Sequence, residues 1–296
     1  MGSVANKIAK KLKSSAKSKV VDLPAWREGR DLALEAGLGD DAQALAKRFA
    51  DHDPCYAMYV LGQNFASVMA ELISGLREAK GLARIVGDAE EEYMPGFPPM
   101  SPLTTSYFSM WAMFDVRFGS SRETIGTCIL RIAPEFDGLS WLMDIVELMQ
   151  QSRIGFYVHC GNKNGAVLLR EVGTRKIMSC LSPAGYRGRK GQIWFVRLVP
   201  PPHRLCQQHI VFNTPYVIRD YPERAYVDYL EREFAQMKTK KKSQETEDKR
   251  HQLMKYGPDP NHWNEYILNA YSNFQRDAIF LTGIPDIPQS LPHACD

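Results

Sequence analysis

Several things are missing from this chain, and each absence removes a class of function. No apolar run approaches the ~20 residues that a membrane-spanning helix needs, so no membrane insertion is expected. Met1 to Val21 carries lysines where a secretory signal would place its apolar stretch. Met1-Gly2 resembles the start of an acylation site, but Asn6 stands where Ser or Thr is wanted. The six cysteines (Cys55, Cys128, Cys160, Cys180, Cys206, Cys295) contain no CxxC pair and no framework spacing. They are expected to be reduced, mostly buried thiols of a cytoplasmic protein. The phosphate-loop pattern GxxxxGKS/T, the dinucleotide pattern GxGxxG and the zinc-protease pattern HExxH are all missing. So is the hydrolase elbow GxSxG. No cofactor is therefore expected.

Acid is nearly missing from two stretches. Residues 1–20 hold six lysines and neither Asp nor Glu. Residues 151–222 hold eleven Lys/Arg against two acids, Glu171 and Asp220. Between them, residues 21–150 carry ten Lys/Arg against twenty Asp/Glu. The net charge of +3 over 296 residues thus hides a basic centre behind an acidic segment. Charge sorted in this way raises the local potential and attracts anionic partners.

The rest is ordinary globular material: 44% hydrophobic and 24% charged, enough to bury a core in one large or two modest domains. Residues 1–20 read as a basic flexible arm. Helical periodicity begins at Pro24 and dominates 21–152. Its longest amphipathic segment includes Tyr56, Val60, Val68 and Leu72, and further helices are expected over Thr104–Phe118, Glu123–Ile132 and Gly138–Ser152. Tyr107, Phe108, Trp111, Phe114 and Phe118 share helical spacing and predict a packed seam. Ser120 and Glu123 fit a capping box. Tyr93 to Pro102, with four prolines, predicts a rigid connector.

At residue 153 the period changes to two. Ile154–His159, Ala166–Val172, Lys176–Leu181, Gln192–Val199 and His209–Ile218 are short, β-branched and separated by Gly- and Pro-rich turns. They predict a five-stranded antiparallel meander closing into a small barrel over 153–222. Helix returns from Glu223 to about Arg250 and again over Asn261–Leu281, so 223–296 is expected to pack back on the body. The fold class is α+β: a helical N-terminal domain, a basic barrel-like module and C-terminal helices.

The candidate site is the loop Gly185-Tyr186-Arg187-Gly188-Arg189-Lys190-Gly191. Glycine lets backbone amides approach an anion, and arginine offers a two-pronged donor to phosphate. Tyr186 and Trp194 are placed to stack on bases; Arg170, Arg175 and Arg197 are expected to extend the basic surface. The GXXG-like string Gly185–Gly188 is flanked by strands, which argues against a KH element. His203, Cys206 and His209 form a weak zinc candidate, because an extended segment points alternate residues apart. Glu78-Ala79-Lys80 and Glu247-Asp248-Lys249 echo nuclease pairs but fall on helices. A Cys–His nucleophile built on Cys160 or Cys206 has nothing to single it out. The expected function is therefore non-catalytic binding of a polyanion, most naturally nucleic acid, by Arg187, Arg189 and Lys190. The alternatives are docking of the basic module on an acidic protein surface, in another protein or in this chain, and a metal-dependent hydrolase.

Overall fold

The computed structural model describes residues 4–17, 55, 59, 62, 80–93, 102–132, 140–201, 207–218, 222–236, 243–256 and 279–281. The helices expected over most of 24–76, the connector core at 94–101 and most of the final helix fall outside the described residues. The chain divides into two compact units. The first contains Val4–Gly87 and Phe108–Gln151, and the second contains Asp88–Tyr107 and the described residues from Ser152 onward.

In the first unit, α1 (Val4–Lys17) replaces the flexible arm expected there. Val4, Ala5, Ile8 and Ala9 are buried, and the helix packs on α4 (Ile125–Ile132). A thin apolar stripe suffices once a partner helix supplies the other half of the contact. Glu123 fixes the join. Its carboxylate accepts the Val4 N–H (2.7 Å), satisfying a donor at the helix start, and takes Arg131 Nη1 at 2.6 Å. The capping box lies at Thr124 and Thr127 instead of Ser120 and Glu123. Thr127 N–H donates to Thr124 Oγ1 (3.1 Å), and Thr124 N–H donates to Thr127 Oγ1 (2.8 Å). Glu123 instead pairs with Phe118 in an isolated β-bridge. Two further helices, α2 (Lys80–Tyr93) and α3 (Pro102–Phe114), precede α4, with the division between the two units falling inside each of them, and α5 (Ser140–Gln151) follows α4. The aromatic seam is buried as expected, with Phe108 and Trp111 5.4 Å apart.

The second unit is built on β1 (Arg153–Lys163), β2 (Ala166–Glu171), β3 (Ile177–Leu181), β4 (Ile193–Val199), β5 (His209–Val211), β6 (Tyr216–Ile218) and β7 (Ile279–Leu281). Strands β1, β2, β3, β5 and β4 close into a five-stranded barrel through the β1–β4 pairing. It is mixed, not the antiparallel meander expected: β5 lies parallel to β3 and separates it from β4. The expected strand His209–Ile218 is broken in two. Val211 pairs with Leu198 and Tyr216 with Phe195, so four residues, Phe212–Pro215, stand opposite two. The Tyr107 hydroxyl enters that break, 2.9 Å from the carbonyls of Phe195 and Thr214. A bulge in β1 between His159 and Gly161 accommodates one extra residue against β2. Ile279–Leu281, expected as helix, pairs with β6 as a strand.

Period-two alternation sorts the side chains. Tyr157, Val167, Leu169, Met178, Cys180, Trp194, Val196, Leu198 and Val211 fill the barrel. On its outside, Phe156, Phe195, Tyr107, Tyr216 and Tyr226 form an aromatic layer, with Phe156 stacked 4.0 Å from Tyr226 of α6 (Glu223–Gln236). The single helix expected to about Arg250 is two, α6 and α7 (Ser243–Tyr256). Among the described residues no helix is long and apolar enough to cross a membrane.

Among the described residues, cysteine chemistry departs from expectation at Cys55. Cys55 is disulfide-bonded, while Cys128, Cys160 and Cys180 are free. Disulfide pairing needs two Cα atoms within several ångströms, a tertiary fact that spacing does not encode. Burial pushes the Cys180 thiol inside the barrel up to about 12. Burial and the neighbouring Glu123 carboxylate push Cys128 up to about 12 as well. A raised folded value contributes stability that is intact below the ordinary thiol value of 9.0 and is lost as pH climbs toward 12. Denaturant titrations are therefore expected to show these thiols without influence at neutral pH. Above about pH 9, each should remove up to about 1.4 kcal/mol per pH unit, and Cys180→Val should abolish its share. A Cys180→Val variant with an unchanged alkaline slope would refute this.

Candidate functional site

The loop joining β3 to β4 is pinned from beneath by residues that composition did not single out. Gly185 N–H donates to Ser182 O (3.0 Å) and closes the first turn. Three donors converge on Gln192 Oε1: the Arg189 backbone N–H at 2.8 Å, the Tyr186 hydroxyl at 3.1 Å and Trp194 Nε1 at 3.2 Å. His159 secures the other side. Its Nδ1 accepts the Gly161 N–H (3.1 Å), so Nε2 carries the proton and donates to the Arg187 carbonyl at 2.8 Å. Backbone bonds His159 N to Gln192 O and Gly191 N to His159 O, both 2.8 Å, complete the seat. Gly188 presses onto it with φ +62°, and a Cβ there would lie 2.2 Å from Trp194 Cζ2.

This backbone turns the cations outward. Arg187, Arg189 and Lys190 are exposed, and Tyr186 is half-buried with its ring 5.3 Å from that of Trp194. Arg187 Nη1 donates to the Gly165 carbonyl in the β1–β2 turn, tying two loops together. That turn adds exposed Lys163, Asn162 and Asn164 to the same end of the barrel. Among the described residues no carboxylate is paired with Arg187, Arg189, Lys190 or Lys163. An arginine has five N–H donors, so the Gly165 bond leaves most of the Arg187 fork for another acceptor.

The remaining expected members of the patch are elsewhere. Arg197 is 0% exposed, with Nη1 donating to Ser152 Oγ at 2.9 Å. It faces outward from the barrel, as alternation predicts, but that face is covered. Arg170 is mated with Glu223 by two bonds of 2.7 and 2.8 Å, and it holds the Glu223 carboxyl below the usual range. Arg175 is exposed, but in the β2–β3 turn at the opposite end of β2. Six residues of extended chain put roughly 20 Å between those turns. Trp194 is 0% exposed and offers no ring to a ligand.

Of the zinc candidates, His203 and Cys206 lie outside the described residues, and His209 is half-buried on β5. Among the described residues no group of three or more His, Cys, Asp or Glu could hold a metal ion. Glu247, Asp248 and Lys249 are on α7, and Lys80 opens α2, as the helical reading requires.

A second polar cluster sits at the other barrel mouth. Glu171, 2% exposed, is paired with Arg153 (17% exposed) and receives the Thr174 hydroxyl. Arg153 Nη1 also lies 3.0 Å from His251 Nδ1 of α7, and Lys255 Nζ donates to the Ser152 carbonyl. Burial, then the charge of Glu171, pushes the Tyr157 hydroxyl far above its ordinary range. Burial, then Arg153 and Lys255, lowers His251. Every group here is engaged with its neighbours, and Met254 closes over Gly173, where a Cβ would approach it to 2.6 Å. The cluster fastens α7 to the barrel. Comparison of the chain with protein families, with curated proteins and with solved structures found no match.

Proposed function

We propose that this protein binds nucleic acid through the phosphate backbone, using Arg189 and Lys190 with support from Arg187 and Lys163. One observation carries the reading. The three loop cations face water on a backbone held rigid by Gln192 and His159, with no carboxylate partner among the described residues. Rigid presentation matters because fewer rotamers are lost when a phosphate is met. Arg187 has two jobs, as staple to Gly165 and as cation, whereas Arg189 and Lys190 contribute charge through their side chains.

Replacing Arg187, Arg189 and Lys190 together by alanine is expected to weaken binding equally for all sequences. The slope of log K against log salt should flatten by about three, one counterion for each cation removed. Arg175→Ala, at the far end of β2, should leave that slope unchanged. Equal binding by the triple variant and the parent at low salt would overturn the assignment. Binding of an acidic protein but no nucleic acid would replace it with the protein-docking alternative.

A further inference from the structure

We infer that the ligand of this loop is a duplex, gripped from outside by its phosphates, with no base stacked on the protein. The inference rests on the nucleic-acid reading above and narrows it. Proteins that hold single strands combine a cationic track with aromatic rings on which successive bases lie. The loop contains the raw material for such a platform, Tyr186 and Trp194, and the fold consumes both. Trp194 is 0% exposed. Its indole is flanked by His159 at 5.1 Å and Tyr186 at 5.3 Å, its Nε1 is bonded to Gln192, and Gly188 is seated on its six-membered ring. Tyr186 leans on Trp194 at 31°, is half-buried, and has its hydroxyl tied to Gln192.

The polar groups beneath the loop, Gln192 and His159, are also engaged. Gln192 Oε1 takes three donors, and both His159 ring nitrogens have partners. What faces water is Asn162, Lys163, Asn164, Arg187, Arg189 and Lys190. Such a surface offers donors to phosphate oxygens, and the aromatic ring beside it, Tyr186, is half-buried against Trp194. Duplexes suit it, because their phosphates are outermost, densely spaced and released from more condensed counterions than those of a single strand.

The test is fluorescence anisotropy on the full chain with three labelled ligands of equal length: a mixed-sequence duplex, one of its strands, and an abasic version of that strand. The duplex should bind at least about tenfold more tightly than either strand, and the two strands should agree within about twofold. One stacked base is worth roughly 5- to 150-fold. A base-bearing strand that beats its abasic counterpart by more than about fivefold, or one that rivals the duplex, overturns the inference. Lys190→Glu separates the two levels of failure. If a strand-preferring protein loses its binding in that variant, the loop remains the nucleic-acid site and only the duplex inference falls. If no ligand binds at low salt, both fall together.

Discussion

Glu171→Ala is expected to destabilise the second unit by about 3–5 kcal/mol, because it strips one partner from a buried ion pair and leaves the other in place. Glu171 is 2% exposed and Arg153 only 17%, so water replaces the lost carboxylate poorly. One more group loses a partner, the Thr174 hydroxyl, whereas the deeply buried Tyr157 phenol keeps its bond to Arg153. Arg153 would keep His251 as an acceptor, but His251 is held low by burial and by Arg153 itself and compensates only weakly. Urea unfolding followed by circular dichroism measures the loss. The companion is the double variant Arg153→Met with Glu171→Leu, which removes both charges and fills the space. It should recover most of the stability, since burying the pair repays little beyond its own desolvation. A single-variant cost below about 1 kcal/mol would mean that solvent reaches this mouth of the barrel and that the pair behaves as a surface bridge.

Gly188→Val is expected to cost roughly 2–4 kcal/mol, from backbone strain and overpacking together. A non-glycine residue at φ +62° is strained whatever surrounds it, and here the surroundings are also full. The added Cβ would meet Trp194 Cζ2 at 2.2 Å, His159 Cδ2 at 2.9 Å and Gln192 Oε1 at 3.0 Å. The indole has nowhere to retreat inside a filled barrel, so the loop must lift, breaking the His159–Arg187 bond and releasing Arg189 from Gln192. Binding should therefore fall along with stability, although no cation has been removed. Gly191→Ala is the control. Its φ is +93° but nothing lies within 4 Å of the added Cβ, so it carries the backbone term alone, about 1–2 kcal/mol. Equal losses at the two positions would show that contact with Trp194 contributes nothing.

Much of the second unit was legible in the chain. The alternation Gln192, Trp194, Val196, Leu198 against Ile193, Phe195, Arg197, Val199 assigned β4 its two faces, and the structure keeps that assignment. What alternation cannot tell is whether the second face meets water. All seven β4 residues are buried, because helices cover the outside of the barrel, and Arg197 therefore lies in the interior. Its charge suggested a surface position only under the assumption of a one-sided sheet. The same limit applies to Arg170, whose partner Glu223 is 53 residues away.

The candidate loop was found from glycines and cations, which advertise themselves locally. Its supports, Gln192 and His159, are of unremarkable residue type; Gln192 adjoins the loop in sequence, and His159 reaches it from β1, 28 residues before Arg187. They carried no readable signal. Likewise the lysine content of residues 4–17 resembled a tail until α4 provided a surface for Ile8 and Ala9.

By itself, then, the sequence determined where helix gives way to strand near residue 153, which residues of β1 to β4 share a face and where the turns between those strands fall, because these follow from local period and backbone chemistry. Strand order, the parallel seating of β5 against β3, the disulfide at Cys55, the burial of Arg197 and Trp194 and the outward turn of Arg189 and Lys190 were decided by tertiary structure. Each depends on which distant segment comes to lie alongside, and that is settled by closing the barrel and covering it, which no short stretch of chain encodes.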